Sequence, residues 1–152
     1  MQSKLQVRKY KPDDLTAVAQ LFDAYRQFYE EPSDLTLALE YIDERIKNNE
    51  SVVLVSESSD GTLNGFCQLY PTFCSVLAQP VYVLYDLYVV PSARGHGVAT
   101  NLLDAAVATG KENGKARLDL STAQTNTKAQ SVYEAHGWVR DNDFLTYSYS
   151  LR

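Results

Sequence analysis

The chain is poor in cysteine and histidine and has no long apolar run. Cys67 and Cys74 are its two cysteines, seven apart, with no C-x-x-C spacing. A disulfide framework is therefore not expected, and a reducing compartment fits. His96 and His136 are its two histidines, and neither lies near a cysteine pair, so no metal site is expected. No stretch approaches the roughly 18 apolar residues of a membrane span. The first residues, Met1 to Tyr10, alternate charge with apolar side chains and lack a signal peptide's apolar centre. The expectation is a soluble, cytoplasmic protein with no membrane partner. Basic residues are also few: 14 Lys and Arg against 19 Asp and Glu, a net charge of −5. General nucleic-acid binding leaves a basic footprint, so no nucleic-acid partner is expected. The acidic balance is compatible with a cationic substrate, although ordinary solvated acidic surface explains it more simply.

What the chain does have is the composition of a globular domain. It is 152 residues long, 45% hydrophobic and 22% charged. That length makes one domain, residues 1–152, and buries roughly 68–70% of the extended-chain surface without a metal or disulfide. Tyrosine is the compositional oddity, with 11 residues against 5 Phe and 1 Trp. A tyrosine packs like an apolar residue but keeps a hydroxyl that needs a partner, so half-buried strand positions suit most of them.

Leu5, Val7 and Lys9 alternate with polar neighbours and predict a short first strand. Pro12 opens a helix with Asp13 and Asp14 in its first turn. Leu15, Val18, Leu21, Phe22, Tyr25, Phe28 and Tyr29 follow at helical spacing. Pro32 and Ser33 break that helix, and Ser33 is the expected N-cap of a second, which ends at Asn48–Asn49. Strands are predicted over Ser51–Glu57 and Asn64–Tyr70, with Pro71 at a bend. Val81–Val90 is the most strongly β-favouring run, apolar on both faces, as in a strand covered on each side. A helix over Ala99–Gly110, ended by Gly110 or Gly114, a strand over Ala116–Leu120 and a helix over Thr125–Ala135, closed by Gly137, come next. Leu145, Tyr147, Tyr149 and Leu151 alternate strictly with polar residues and predict a final half-buried strand. The order β-α-α-β-β-β-α-β-α-β describes a mixed α/β domain, antiparallel early and with a parallel β-α-β crossover late.

The segment that carries chemistry is Pro91–Ala99, PSARGHGVA, between the strongest strand and a helix. Gly95 and Gly97 let the backbone turn tightly and approach a ligand. The N–H groups that start a helix have no intrahelical partner, and with the helix dipole they suit a pyrophosphate. Arg94 adds charge. A plain tight turn is the competing explanation of the two glycines. No Gly-Lys-Ser/Thr follows, so this is not a Walker loop, and Thr100 stands where a dinucleotide fingerprint needs its third glycine.

Residues 85–138 resemble the centre of the GNAT superfamily of N-acetyltransferases. Arg94, Gly97 and Ala99 match that family's Arg/Gln-x-x-Gly-x-Gly/Ala signature, and Asn126, Ala129, Tyr133, Gly137 and Trp138 match its second element. The Leu87-Tyr88-Val89 run is similar to the small-amine and polyamine branch. The resemblance implies one mixed sheet of six to seven strands flanked by about four helices. It also implies transfer of an acetyl group from acetyl-CoA, as co-substrate, to an amine of a small molecule or peptide. The main chain of Gly95, His96, Gly97, Val98, Ala99 and Thr100 would hold the pyrophosphate. The backbone of Leu87, Tyr88 and Val89 would run beside the pantetheine, and one of its N–H groups would bond the thioester carbonyl as charge develops there. Asn126 would meet the cofactor from another side. A homodimer is one state the resemblance allows, since dimers are frequent among relatives.

Tyr133 is the expected proton donor to the departing thiolate. It lies two helical turns after Asn126, on the same face, with the small Ala129 between them. The competing explanation is an ordinary core aromatic. The acceptor amine must lose a proton before it attacks, so a base is required. Asp86 is the best candidate, the one acid in an apolar and aromatic strand, although a buried structural carboxylate explains it as well. Some relatives place a Glu one position earlier, where this chain has Tyr85. Tyr29, Glu30, Glu31 and Asp86 are candidates for gripping a cationic substrate, against simple solvated charge for Glu30 and Glu31. The rival function is a non-catalytic module that binds CoA and a protein partner. A dinucleotide-dependent oxidoreductase fails because too little chain follows Thr100.

Overall fold

A computed structural model describes residues 6–152. Leu5, expected in the first strand, lies outside the described residues. Contacts divide the chain into a large unit that ends at Leu120 and a small unit, Ser121–Arg152, and each is taken by itself. Among the described residues no helix is long and apolar enough to cross a membrane.

The large unit is built on one sheet with strands in sequence order: β1 (Gln6–Lys9), β2 (Val52–Glu57), β3 (Leu63–Cys74), β4 (Gln79–Val89) and β5 (Leu118–Asp119). The first three pairings are antiparallel, and β4 pairs with β5 in parallel. The parallel pair needs a crossover, supplied by α3 (Val98–Glu112). Five strands form among the described residues, against the six to seven expected.

Strand alternation assigns the faces. Val53, Val55 and Phe66 point to one side and meet Val18, Ala19, Leu21 and Phe22 of α1 (Leu15–Phe28) and Ala38 and Ile42 of α2 (Leu35–Lys47). Gly65, the neighbour of Phe66, faces the other side, where α3 lies. A Cβ on Gly65 would come within 3.0 Å of Val98 Cγ1 and 3.1 Å of the Tyr88 carbonyl, so only glycine lets the start of α3 sit this low on the sheet. Of the two glycines expected to end this helix, Gly114, at φ 69, follows its C-cap Asn113, whereas Gly110 lies inside α3, where a Cβ would meet Leu118 of β5 at 2.5 Å.

Three local expectations need correction. Pro12–Asp14 forms a short 3-10 turn, and the α-helix proper starts at Leu15. The cap of α2 is Asp34, whose Oδ1 accepts from the Leu37 N–H at 3.0 Å, rather than Ser33. Pro71 does not end β3, which continues to Cys74 with Pro71 opposite Tyr82. Pairing with β2 stops at Leu69, so that edge of β3 is open at Pro71 and loses no bond to the missing N–H.

Ser33 has a different task. Its hydroxyl donates to Asp23 Oδ2 at 2.7 Å, Gln27 Nε2 donates to the same oxygen at 3.1 Å, and the Asp34 N–H donates to Oδ1 at 2.7 Å. Asp23 is buried, and these donors, led by the Asp34 N–H, hold its carboxyl below the usual range. Its contribution to stability is therefore present at neutral pH and lost as pH falls through its lowered folded value. Asp23→Ala is expected to lower the urea midpoint at pH 7 and to flatten the acid limb of a stability-against-pH curve. An unchanged midpoint would remove Asp23 as the pin of the turn between α1 and α2.

The small unit contains α4 (Thr127–Ala135), followed by Gly137 at φ 90. Arg140 donates to Gln130 Oε1 at 2.8 Å and Glu134 Oε1 at 3.2 Å, which folds the following chain back on α4. Residues 145–151 form no strand, and their large side chains are exposed. Alternation supplies a two-faced segment, but a strand also needs a ladder, and the bond from Ser150 Oγ to the Arg152 carbonyl here is local.

Candidate active site

The main irregularity of the sheet lies in β4. Gln68 pairs with Asp86, but the next residue of β3, Leu69, pairs with Leu84, so Tyr85 is an extra residue in a bulge. A bulge re-aims side chains. Asp86 falls on the α1 side of the sheet with Gln68 and Phe66, and the Tyr85 ring lies 5.6 Å from that of Tyr70. Asp86 is only 2% exposed. Gln68 Nε2 donates to its Oδ2 at 2.5 Å. The Tyr25 hydroxyl reaches both the Asp86 carboxylate and the Tyr85 carbonyl, the latter at 3.2 Å. Burial pushes the Asp86 carboxyl up to about 6, and the bonds from Gln68 and Tyr25 offset only part of that rise. A carboxylate with that value takes up and releases a proton near neutral pH, which is what a general base needs.

Aromatic rings enclose this carboxylate. The Tyr25 and Tyr70 hydroxyls are pushed well above the ordinary tyrosine value by burial first, with the charge of Asp86 adding to it. Tyr41 and Tyr70 share a hydrogen bond of 2.6 Å. Tyr29 joins through an edge contact with Tyr25, centroids 5.1 Å apart. Glu30 sits in the tight turn after α1 at φ 68, and among the described residues no hydrogen bond or ion pair ties it to Asp86. Gln68, Tyr25, Tyr41 and Tyr70 did not emerge from the sequence as site residues. The one available signal was the tyrosine excess, together with Gln68 as a lone amide in an apolar strand.

Leu87, Tyr88 and Val89 follow Asp86. One edge of this segment is paired with Cys67, Phe66 and Gly65 of β3. On the other edge, β5 pairs only with Tyr82 and Val83, so within the large unit residues 84–89 have no strand on that side. The chain then enters a 3-10 turn, Pro91–Ala93, and an exposed loop. Gly95 and Gly97 have φ 81 and 82, a region that disfavours any other residue, and nothing lies within 4 Å of a Cβ on either. The first bond across the cap of α3 runs from the Asn101 N–H to the Gly97 carbonyl at 3.0 Å. The N–H groups of Val98, Ala99 and Thr100 therefore have no intrahelical acceptor. Arg94 is tied back to the strand: its Nε donates to the Val89 carbonyl at 3.0 Å, and its guanidinium lies 5.7 Å from the Tyr88 ring centre. The His96 side chain is exposed. This loop fits an anionic, diphosphate-bearing ligand, because it offers unsatisfied donors and room above the glycines.

In the small unit, Asn126 Oδ1 caps α4 by accepting from the Ala129 N–H at 3.2 Å, so this side chain also serves its own helix. Tyr133 lies near the end of α4 with its ring 6.3 Å from that of Trp138, and its carbonyl accepts from the Trp138 N–H at 3.0 Å. A separate open depression of about 480 Å³, bordered by Asp13, Asp14, Gln20, Gly61 and Val90, carries no comparable reacting group. Its Asp14 is already held by Arg8 through bonds of 2.8 and 3.0 Å.

Comparison with known proteins converges on one family. Residues 16–138 match the model of the acetyltransferase (GNAT) family. The chain is 43% identical over 143 residues to the N-acetyltransferase YhfO of Bacillus subtilis strain 168, covering 94% of this chain and 95% of that one. It superposes on a crystal structure of a probable acetyltransferase with a TM-score of 0.90 at 33% identity, over 97% of this chain and 98% of the other. The aminoglycoside N-acetyltransferase AAC(6')-Iy, solved with CoA, shares the fold with a TM-score of 0.81 at 22% identity, over 98% and 97% of the two chains.

Proposed function

The chain belongs to the GNAT family of acetyltransferases and is an acyltransferase, and on that premise we propose that it acetylates a primary amine of a small molecule or peptide, using acetyl-CoA, by direct attack in a ternary complex. The observation that carries this reading is the junction of β4 and α3. There, an open strand edge at Leu87–Val89 leads into a loop whose glycines and helix-start N–H groups suit a diphosphate. A fold neighbour solved with CoA supports the same choice of cofactor.

Acetyl-CoA supplies the activated acetyl group when bound. The N–H groups of Gly95–Thr100 hold the diphosphate end, and Arg94 braces the loop against Val89. The free backbone edge of Leu87–Val89 lines the pantetheine arm as an added strand would. An N–H of that edge donates to the thioester oxygen, where negative charge grows during transfer. Asp86 accepts the proton of the amine, directly or through one water, and Gln68 holds the carboxylate in place. Tyr133 donates a hydrogen bond or proton to the departing sulfur, and Asn126 contributes to cofactor binding. Tyr29 and Glu30 border the acceptor. The Leu87-Tyr88-Val89 run supports a small-amine acceptor. The scarcity of cysteine supports action in a reducing compartment such as the cytoplasm.

The loop supplies the test. A non-glycine residue in the left-handed region costs about 1–2 kcal/mol. In the free variant the exposed loop relaxes out of that region and CoA binding forces it back, so Gly97→Ala is expected to raise the calorimetric Kd for CoA about tenfold, equivalent to roughly 1.4 kcal/mol, with only a small drop in Tm. Wild-type affinity in the variant, or no heat of CoA binding to the native protein, would overturn the assignment.

A further inference from the structure

The rings around Asp86 reach the surface as one patch. Phe28 is 63% exposed, Tyr29 60% and Tyr85 65%, fractions unusual for neighbouring large aromatics. Tyr25 links them: Phe28 packs edge-on to Tyr29 at 5.3 Å, Tyr29 to Tyr25 at 5.1 Å, and the Tyr25 hydroxyl donates to the Tyr85 carbonyl. Beneath the patch lie two acceptors. One is Asp86, and the other is Gln68 Oε1, which is buried and accepts no hydrogen bond among the described residues.

The charge around the patch is one-sided. Every cation on α1 and α2 is already matched to an acid: Arg26 to Glu31 at 3.6 Å, Arg45 to Glu44 at 3.2 Å and Glu50 at 3.5 Å, and Lys47 to Asp43 at 2.6 Å. Glu31 is thus taken, and Glu30, beside Tyr29, is exposed. An exposed carboxylate returns little to a cation that leaves water. Asp23, also buried, is filled by Gln27, Ser33 and the Asp34 N–H, so the surface offers the Asp86 charge and a broad aromatic face. Ring faces attract a cation and pack flat apolar groups with little loss of side-chain freedom.

Resting on the acetyl-transfer reading above, we infer that the acceptor is a monocationic primary amine carried on a flat apolar or aromatic body, held by Phe28, Tyr29 and Tyr85 with its ammonium toward Asp86 and Gln68. A polyamine or aminoglycoside brings further ammonium groups, and against this patch each would lose water without gaining a buried partner.

The test measures thiol release from acetyl-CoA with 2-phenylethylamine, hexylamine, spermidine, an aminoglycoside and a lysine peptide. The expected order of kcat/KM puts phenylethylamine first, with spermidine and the aminoglycoside lower by about tenfold or more. The double variant Phe28→Ala/Tyr29→Ala is expected to raise the KM for phenylethylamine about tenfold and to leave the KM for acetyl-CoA within about twofold. Tyr85→Thr, at a single exposed position, gives the same readout should the double variant fold poorly. Equal or better use of the polycations, or an unchanged amine KM in both variants, overturns the inference and leaves acetyl transfer standing. A variant that changes only the sedimentation coefficient assigns the patch to a second copy of the chain and also overturns it. If no amine turns over while CoA binds, the transfer reading falls. Calorimetry of phenylethylamine with the CoA-loaded protein then decides this inference separately: heat lost in the variants supports it, and no heat in the native protein ends it.

Discussion

Asp86→Asn is expected to make the protein more stable and nearly inactive. The Asp86 carboxyl titrates at about 6 in the folded chain, against 3.8 for an ordinary aspartate. Over that interval the folded state holds a proton the unfolded state has released. Stability from this group is thus greatest below about 4 and falls as pH rises to about 6, after which it is flat. The gap of about 2 corresponds to roughly 3 kcal/mol. Asparagine has the same shape, presents an oxygen to Gln68 Nε2 and carries no charge to desolvate. Urea unfolding at pH 7.5 should therefore show a gain of up to about 3 kcal/mol, shrinking towards zero at pH 4. Asp14 and Asp23, whose carboxyls are held low, titrate with the opposite sign in both proteins, so the difference between the two curves isolates Asp86. Loss of a positioned base is expected to lower kcat/KM by about 10²–10⁴-fold. The wild-type kcat/KM should rise with pH through about 6, and the variant should lose that limb. A fully active variant would remove the base assignment, and an unstabilised one would mean that the Asp86 charge is better solvated than its burial implies.

Tyr133→Phe is expected to act on turnover alone. The hydroxyl is the only group removed, and the ring that packs 6.3 Å from Trp138 stays. Ordinary values of about 10 for tyrosine and 8.5 for a thiol make full proton transfer to sulfur uphill by roughly 2 kcal/mol. In its proposed role the hydroxyl donates a hydrogen bond as charge builds on sulfur. Its removal should cut kcat about 10²-fold, leaving the KM for acetyl-CoA near wild type. Wild-type kcat in the variant would return Tyr133 to the status of a packing aromatic. It would also reopen the alternative of a leaving group protonated by solvent.

Much of the fold was legible because its signals are local. The alternation of Val52–Glu57, the helical stripe of Val18, Leu21 and Phe22, and the apolar run of β4 each depend on a period that the sequence carries directly. The glycine loop was legible for the same reason, since φ 81 and 82 are demanded at Gly95 and Gly97 themselves. The failures share the opposite cause. Ser33 and Asp34 both suit an N-cap, and only the distant Asp23 decides between them by claiming Ser33. Pro71 breaks a strand in isolation but sits on an edge left open where β2 stops. The alternation at Leu145–Leu151 is a strand pattern whose pairing partner no local rule supplies.

The sequence by itself determined the order of elements as far as α4, the glycine turns before α3 and the family, because each rests on residue types at fixed short spacings. Only the tertiary structure decided what Asp86 is. A carboxylate in an apolar strand comes to exchange its proton near neutral pH through a one-residue bulge at Tyr85, burial to 2% and an amide from the neighbouring strand. Those are properties of neighbours 18 and 61 positions away, Gln68 and Tyr25, and desolvation is a sum over what surrounds a group in space.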